Sequence, residues 1–163
     1  NKKEIEFEKK DWLLLDAKRI IAPDSFDFTI ESVGVYSNIE IVRKACDIMI
    51  DKCSSFNQLL KDGKVEIKEN DNTTVDNEYI ITLQNEDYTL GNALVYFLYE
   101  NYYLGNKKIS FVGFKVPHPH IPNGIIRVAF EAKSDKTDVI QYLTNASQDV
   151  ITTFTNIRSN FKE

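Results

Sequence analysis

Only a few side chains in this 163-residue sequence have the types and spacing that metal chemistry needs. The two histidines, His118 and His120, lie in the run Pro117-His118-Pro119-His120-Ile121-Pro122. A zinc site would require further cysteine, histidine or carboxylate ligands, and none is close in sequence. Proline holds the backbone extended, so successive side chains point in different directions. We therefore predict a stiff structural connection and no metal site.

The two cysteines, Cys46 and Cys53, could in principle form a disulfide. They are seven residues apart, which places them on one face of a helix but about 10 Å apart along its axis. That separation is too long for a disulfide. We expect both to be buried thiols of an intracellular protein.

Candidate catalytic carboxylates occur as the pairs Asp24/Asp27 and Glu86/Asp87. Each pair lies in a predicted turn or on the polar face of a predicted strand, where a carboxylate is ordinarily solvated. The six glycines form no phosphate-binding loop, and no nucleophile elbow is present. These patterns predict no catalytic residues and no cofactor.

Four tyrosines cluster on one predicted helix: Tyr96, Tyr99, Tyr102 and Tyr103. Such a cluster could stack on single-stranded nucleic acid, but basic residues are not interleaved with it. The chain also carries a net charge of -5, with a pI near 5.1. Phosphate binding needs clustered lysine and arginine, so packing against another protein surface is the favoured interpretation.

The composition is that of a globular protein, with 42% hydrophobic and 28% charged residues. The longest apolar run, residues 12–15, is far shorter than the roughly 18 residues that span a membrane. Residues 1–10 are mostly charged, unlike a signal peptide. We expect an intracellular protein that does not insert into a membrane.

The first part of the chain predicts a strand followed by a long helix. Ile5 and Phe7 alternate weakly with glutamates, and residues 26–30 alternate apolar and polar side chains as a half-buried strand does. Ser37 and Glu40 fit a helix capping box. Behind them, apolar residues at steps of four and three lay one stripe along about six helical turns: Val42, Cys46, Met49, Cys53, Phe56 and Leu60.

Residues 61–77 are polar and predict a linker, with a short strand over residues 65–68 as an option. The second part predicts the order strand, helix, strand, strand, long helix. Its strands cover residues 79–83, 109–116 and 124–132. Thr89 is the predicted cap of its first helix, which contains Leu90, Leu94 and Phe97, and Gly105 is the predicted left-handed C-cap. The last helix begins at residue 134 or 135 and carries Val150 and Phe154.

The first part therefore repeats the closing strand and helix of the second, as a weak internal repeat. Two long apolar stripes without an active site favour a binding or scaffold protein. We predict an α+β fold.

Two motifs in the second part resemble a known family. Glu86-Asp87-Tyr88-Thr89-Leu90-Gly91-Asn92-Ala93-Leu94 is similar to the "EDHTLGN-x-L" signature of the small dimerisation subunit of cellular RNA polymerases. Phe111-Val112-Gly113-Phe114-Lys115-Val116-Pro117-His118-Pro119 is similar to the "F-x-G-Y-x-x-PHP" segment of that family. The resemblance covers residues 78 to the C-terminus. Tyr88 stands where the family usually has histidine, and His120 replaces an apolar residue.

The first part resembles the larger dimerisation subunit, called D in archaea and related to bacterial alpha. Asp24-Ser25-Phe26-Asp27-Phe28-Thr29-Ile30-Glu31-Ser32-Val33-Gly34 is similar to its "F-x-F-x-V-E-S-x-G" strand. The opening strand and helix of that subunit and its insert domain are missing. The chain thus resembles the C-terminal portion of a fused protein of the kind found in large cytoplasmic DNA viruses, the poxvirus and African swine fever virus groups.

The resemblance implies three segments: residues 1–60 as the end of the larger subunit, 61–77 as a linker, and 78–163 as the small subunit. It implies a two-layer fold with an antiparallel sheet and long helices. Residues expected in dimerisation or packing are Val42, Cys46, Met49, Cys53, Phe56, Leu90, Leu94, Phe97, Val150 and Phe154. Residues matching the family motifs are Thr89, Leu90, Gly91, Asn92, Gly113, Pro117, His118 and Pro119.

The implied function is a non-catalytic platform on which the large catalytic polymerase subunits assemble for transcription. Its implied partners are those and other polymerase subunits, with DNA contacted only through the complex. A viral source would place the protein in the host cytoplasm and the virion. Two alternatives are a free-standing homodimeric interaction module and a small hydrolase that uses His118 or His120. We also expect the isolated chain to form a homodimer, with Phe56, Met49, Phe97 and Phe154 near the interface.

Overall fold

The computed structural model describes residues 2–70, 75–118, 120 and 122–162. Pro119, one of the predicted motif residues, lies outside the described residues. The chain forms two compact units, one ending at Val33 and the other running from Gly34 onward. Among the described residues, no helix combines the length and apolar character needed to cross a bilayer.

The first unit contains helix α1 (Lys2–Leu14) and a short 3-10 helix (Ala17–Arg19). The weak strand prediction around Ile5 and Phe7 is wrong, because lysine and glutamate favour the helix and the alternation covers few residues. Helix α1 has no buried residue, and Trp12 at its end is half exposed. The apolar run over residues 12–15 is therefore exposed.

The strand predicted over residues 26–30 does not form. Phe26 and Phe28 are 77% and 84% exposed, so the apolar side of the alternation is not buried. A strand forms only when its backbone N–H and C=O groups pair with a neighbouring strand. The described part of the chain provides none for this segment.

The second unit opens with helix α2 (Asn38–Lys61), and its predicted start is confirmed. The Ser37 hydroxyl accepts a hydrogen bond from the Glu40 backbone N–H, and the Glu40 carboxylate accepts one from the Ser37 N–H. Both bonds satisfy donors that the first helical turn cannot pair internally.

A four-stranded antiparallel sheet follows, in the order β1-β2-β4-β3. Its strands are β1 (Glu66–Glu69), β2 (Glu78–Gln84), β3 (Ile109–Lys115) and β4 (Asn123–Phe130). The three predicted strands of the second part are confirmed, and the optional strand near residues 65–68 is β1. In β2, Tyr79 lies opposite Val128 and Ile81 opposite Ile126, so both pairs face the core.

Helix α3 (Tyr88–Leu98) continues directly into a π-helical turn (Tyr99–Gly105). Two details of the prediction are wrong. Asp87, not Thr89, caps α3, because its carboxylate accepts the Thr89 backbone N–H at 2.8 Å. The left-handed residue near the helix end is Lys107, with φ of 54°, rather than Gly105, because the wider π-helical turn moves the end of the helix.

Helix α4 (Lys136–Asn160) begins after Asp135, as predicted, and Asp135 and Asp138 form a capping box there. Helices α2, α3 and α4 contribute to one hydrophobic core with the sheet. The α+β fold and the antiparallel sheet with long helices are confirmed.

Candidate interaction surfaces

The apolar stripe of α2 packs against α4 within the same chain. Cys46 and Cys53 are 3% and 0% exposed, and Met49 and Phe56 are also buried. The Ser147 hydroxyl on α4 donates a hydrogen bond to the Cys53 carbonyl oxygen at 3.2 Å. This buried bond fixes the contact between the helices, since an unpaired hydroxyl there would be costly.

An ion pair lies at one end of the contact between α2 and α4. The Arg158 guanidinium lies 2.7 Å from the Asp47 carboxylate, and both side chains are partly exposed. An exposed pair of this kind contributes little to stability, about 0–1 kcal/mol. We attribute the strength of the contact to its buried apolar residues instead.

Burial sets the chemistry of the two thiols. It raises the pKa of Cys46, with a further increase from the nearby Asp47 carboxylate. It also raises the pKa of Cys53, an effect that the nearby Ser147 hydroxyl partly opposes. A raised pKa disfavours the thiolate, which is the reactive form. The two cysteines are structural in this fold.

The structure brings most of the predicted packing residues together. Those in the shared core are Met49, Cys53, Phe56, Leu90, Leu94 and Val150, with Phe97 and Phe154 partly buried against it. Cys46 is buried on the same helix face, while Val42 is half-buried at its N-terminal end. This surface is therefore largely internal to the chain, where α2 covers a face of α4.

The two family-like motifs meet around the ring of Phe114. A Cβ atom added at Gly91 in α3 would lie 2.2 Å from that ring, and one added at Gly124 in β4 would lie 2.4 Å from it. The Phe114 ring therefore occupies the space that a side chain at either glycine would need. Tyr88 contacts the same ring edge-to-face, with 5.5 Å between ring centroids.

Other motif residues lie on the surface. Leu90 is buried, but Thr89 and Asn92 in the first turns of α3 are exposed. Pro117 and His118 are exposed after β3, and His118 Nδ1 accepts the His120 backbone N–H at 3.1 Å. Gly113 lies beside Phe111, whose ring would be 3.2 Å from an added Cβ atom. The described residues include no cluster of three or more metal-ligating side chains.

A buried ion pair was not anticipated from the sequence. The Glu78 side chain is fully buried and accepts hydrogen bonds from Arg127 and, at 2.7 Å, from the Asn70 side chain. The Arg127 guanidinium also lies over the Phe111 ring, 5.8 Å from its centroid. An arginine within the apolar strand β4 was the available signal for such a pair, because buried charges need partners.

Of the four tyrosines, Tyr102 is half-buried, whereas Tyr96, Tyr99 and Tyr103 are exposed. Tyr102 contacts Tyr142 on α4, with 4.6 Å between centroids, and its hydroxyl accepts a hydrogen bond from Asn145. Tyr99 and Tyr103 stack on each other at 4.9 Å and are each 39% exposed. The Tyr102 contacts lie within this chain, so packing of the cluster against another protein surface stays a prediction. The stacked pair is open to solvent.

Comparison with known proteins places this geometry in context. The model of the RNA polymerase Rpb3/Rpb11 dimerisation domain matches residues 78–160. The chain is 37% identical over 86 residues to the DNA-directed RNA polymerase II subunit RPB11 of Schizosaccharomyces pombe, a match that covers 52% of this chain and 63% of that protein. It is 27% identical over 125 residues to the DNA-directed RNA polymerase RPB3-11 homolog of African swine fever virus, covering 75% of this chain and 33% of that protein. The chain thus spans less than two thirds of the length of each of these relatives.

Proposed function

We propose that this chain is a non-catalytic assembly subunit of a multisubunit DNA-dependent RNA polymerase. The chain belongs to the RNA polymerase Rpb3/Rpb11 dimerisation family, and this membership supports the proposal. In this role it pairs two alpha-like halves and offers them as a platform to the large catalytic subunits. Nucleotidyl transfer belongs to those large subunits.

One observation carries the proposal: α2, which precedes the matched domain, packs its apolar stripe on α4 inside that domain. We propose that this long helix, which lies outside the matched domain, takes the place of a partner's helix. Such a contact, with buried apolar residues over most of its length, resembles an obligate subunit interface more than a transient one.

The same observation supports three segments in the chain. Residues 1–60 are proposed to be the end of the larger subunit, 61–77 the linker and 78–163 the small subunit. The match to the viral RPB3-11 homolog covers 75% of the chain, so it must include residues before Glu78. A match of that extent is what a fused pair of subunits predicts.

The proposed source is a large cytoplasmic DNA virus, and the proposed location is the host cytoplasm and the virion. The support is the African swine fever virus relative. DNA is proposed to be contacted only through the assembled complex, since the net charge of -5 disfavours independent phosphate binding.

Co-purification tests this function. The full-length parent protein, carrying an affinity tag, should bring down two polypeptides several times its own size, identified by mass spectrometry as large polymerase subunits. The tag alone is the control. Recovery of the parent without these polypeptides would exclude the platform role and favour a free-standing interaction module.

A further inference from the structure

The chain between α2 and β1 is a tight turn over residues 62–65, which we call the joint. The Gly63 backbone N–H donates a hydrogen bond to the Leu60 carbonyl oxygen at 3.1 Å. The Lys64 N–H donates one to the Leu59 carbonyl oxygen at 2.9 Å. Gly63 itself is left-handed, with φ of 66°. This pattern is the Schellman motif, which ends a helix in one defined backbone geometry.

Both ends of the joint are fixed in the hydrophobic core. Leu60 in the last turn of α2 is 3% exposed, and Val65 before β1 is 9% exposed. Strand β1 then pairs along β2, with Ile67 opposite Ile81. Because the apolar side chains at both ends are buried, the joint cannot open without exposing them to water. The first residues of the proposed linker are therefore part of the folded second unit.

Glycine is required at position 63 by the backbone conformation and not by crowding. A Cβ atom added at Gly63 would meet no heavy atom within 4 Å beyond its neighbours in the chain. The left-handed conformation costs other residues free energy, because their Cβ atom approaches the following carbonyl oxygen. With glycine the turn is unstrained. Strained short connections favour the exchange of a segment between copies of a protein, so an unstrained joint keeps α2 in its own chain.

The joint also holds α2 close to the surfaces that it contacts. Those contacts include the hydrogen bond from Ser147 to the Cys53 carbonyl oxygen and the ion pair of Lys52 with Glu86 at 2.5 Å. A connection of a few residues gives α2 an effective concentration of about 1 mM or more at these surfaces of its own chain. A second copy at about 10 µM competes at a roughly hundredfold lower concentration.

We infer that the joint docks α2 on α4 of the same chain and excludes the exchange of α2 between copies. In the proposed function, the helix of the larger subunit and the domain of the smaller one are then paired in every molecule without a search for a partner. The positioning residues are Gly63, which sets the turn, and Leu60 and Val65, which fix its ends. The inference rests on the proposed function only for the identity of the two halves.

Mixed isotope labelling with a zero-length crosslink tests the inference. Equal amounts of isotopically heavy and light full chain are denatured together and refolded at about 10 µM. A carbodiimide then joins the Lys52 amine to the Glu86 carboxylate, and mass spectrometry shows whether both crosslinked peptides carry the same label. With α2 docked in its own chain, on the order of 1% of the pairs should carry mixed labels. Free exchange would make half of the pairs mixed and would overturn the inference.

Deletion of residues 62–64 should reverse the result. Lys61 would then precede Val65 directly, and α2 could not fold back beside β1, so docking on a second copy would raise the mixed pairs to about half. Deletion of residues 24–26 in the first unit is the matched control and should leave the pairs unmixed. Circular dichroism melting verifies that each variant folds. Unmixed pairs in a folded 62–64 deletion would overturn the inference, because the joint would not decide where α2 docks.

Two valine substitutions provide the test if the deletion variant does not fold. Gly63 and Gly34 both have positive φ and open space where a Cβ atom would be added. Gly63→Val should lower the melting temperature by about 2–8 °C, because the joint is held at both ends and cannot relax. Gly34→Val should lower it far less, since its neighbours Val33 and Val35 are exposed. Equal shifts would show that the joint is not held in place, and the inference would be wrong.

Failure of the inference and failure of the proposed function have different signatures. If the parent protein does not co-purify with large subunits, the proposed function is wrong, whereas the label-mixing result is unaffected. If it co-purifies but half of the pairs in the unmodified chain are mixed, only the inference about the joint is overturned.

Discussion

Residues 26–30 and 79–83 have the same alternation of apolar and polar side chains but different structures. Residues 79–83 lie in β2, where β1 and β4 pair with both edges of the strand. Residues 26–30 form no strand, and Phe28 is 84% exposed. Alternation specifies which face of a strand can be buried, but a strand also needs neighbours for its backbone groups.

Helices α1 and α2 differ in a related way. Helix α1 has no buried residue, whereas α2 buries five residues of its stripe. Lysine and glutamate favour a helix in α1 without giving it an apolar face, so its formation relies on propensity. The stripe of α2 gains its stability from α4. Local signals are therefore sufficient for a helix and insufficient for a tertiary contact.

The largest expected loss of stability comes from a substitution in the second unit, compared with a matched substitution in the first. Leu94→Asp places a carboxylate at a fully buried position without a partner, and should destabilise the second unit by several kcal/mol. Phe28→Asp, at an exposed position, should leave the melting transition unchanged. Thermal unfolding followed by circular dichroism measures both. An unchanged melting temperature for Leu94→Asp would mean that α3 faces solvent.

Gly91→Ala has two opposing effects on stability, one from helix propensity and one from packing. Alanine in place of glycine inside a helix normally stabilises it by about 1 kcal/mol. Here the added methyl would overlap the Phe114 ring, so we expect a net loss of about 1–3 kcal/mol. Urea unfolding of Gly91→Ala, Phe114→Leu and the double variant tests this. Equal losses in both backgrounds would show that Phe114 is not the cause.

The cysteines report on burial in the second unit. Cys46 and Cys53 should react with a thiol reagent far more slowly in the native state than in denaturant, because burial blocks access and raises their pKa. A Ser25→Cys variant adds an exposed thiol in the first unit and should label at once. Rapid native labelling of Cys46 and Cys53 would contradict the closed α2–α4 contact.

Self-association of the isolated chain stays a prediction, but the structure narrows where it could occur. Met49 and Phe56 are 6% and 5% exposed within one copy, so of the four residues predicted near the interface only the partly buried Phe97 and Phe154 are accessible to a second copy. Sedimentation equilibrium at micromolar concentration measures the mass. A value near 18.8 kDa over the whole concentration range would rule out the dimer.

The smallest effect concerns the cap of α3. Hydrogen bonds from Thr89 hold the pKa of Asp87 below its usual range. A depressed carboxyl pKa stabilises the fold above the unfolded-state pKa, and this contribution disappears as pH falls through the folded-state pKa. Asp87→Ala should therefore lower the melting temperature slightly at neutral pH and progressively less in acid. Asp27→Ala, in the first unit, should show no such pH dependence.

Much of the second unit was predictable from the sequence because its signals are local. Capping boxes at Ser37 and Asp135, the stripe of α2 and the alternation in β2 each depend on residues within a few positions. The interaction surface was only partly predictable. The stripe residues were identified, but the Ser147 hydrogen bond and the Glu78–Arg127 pair join residues far apart in the chain.

The sequence by itself determined the long helices and the strands of the second unit and, through two motifs, the family. It did so because hydrophobic period, capping and turn chemistry act over one or two turns of chain. Only the tertiary structure decided that α2 covers α4 within one chain, that Phe114 explains Gly91 and Gly124, and that residues 26–30 form no strand. Each of these depends on which distant residues meet, and periodicity carries no information about distant partners.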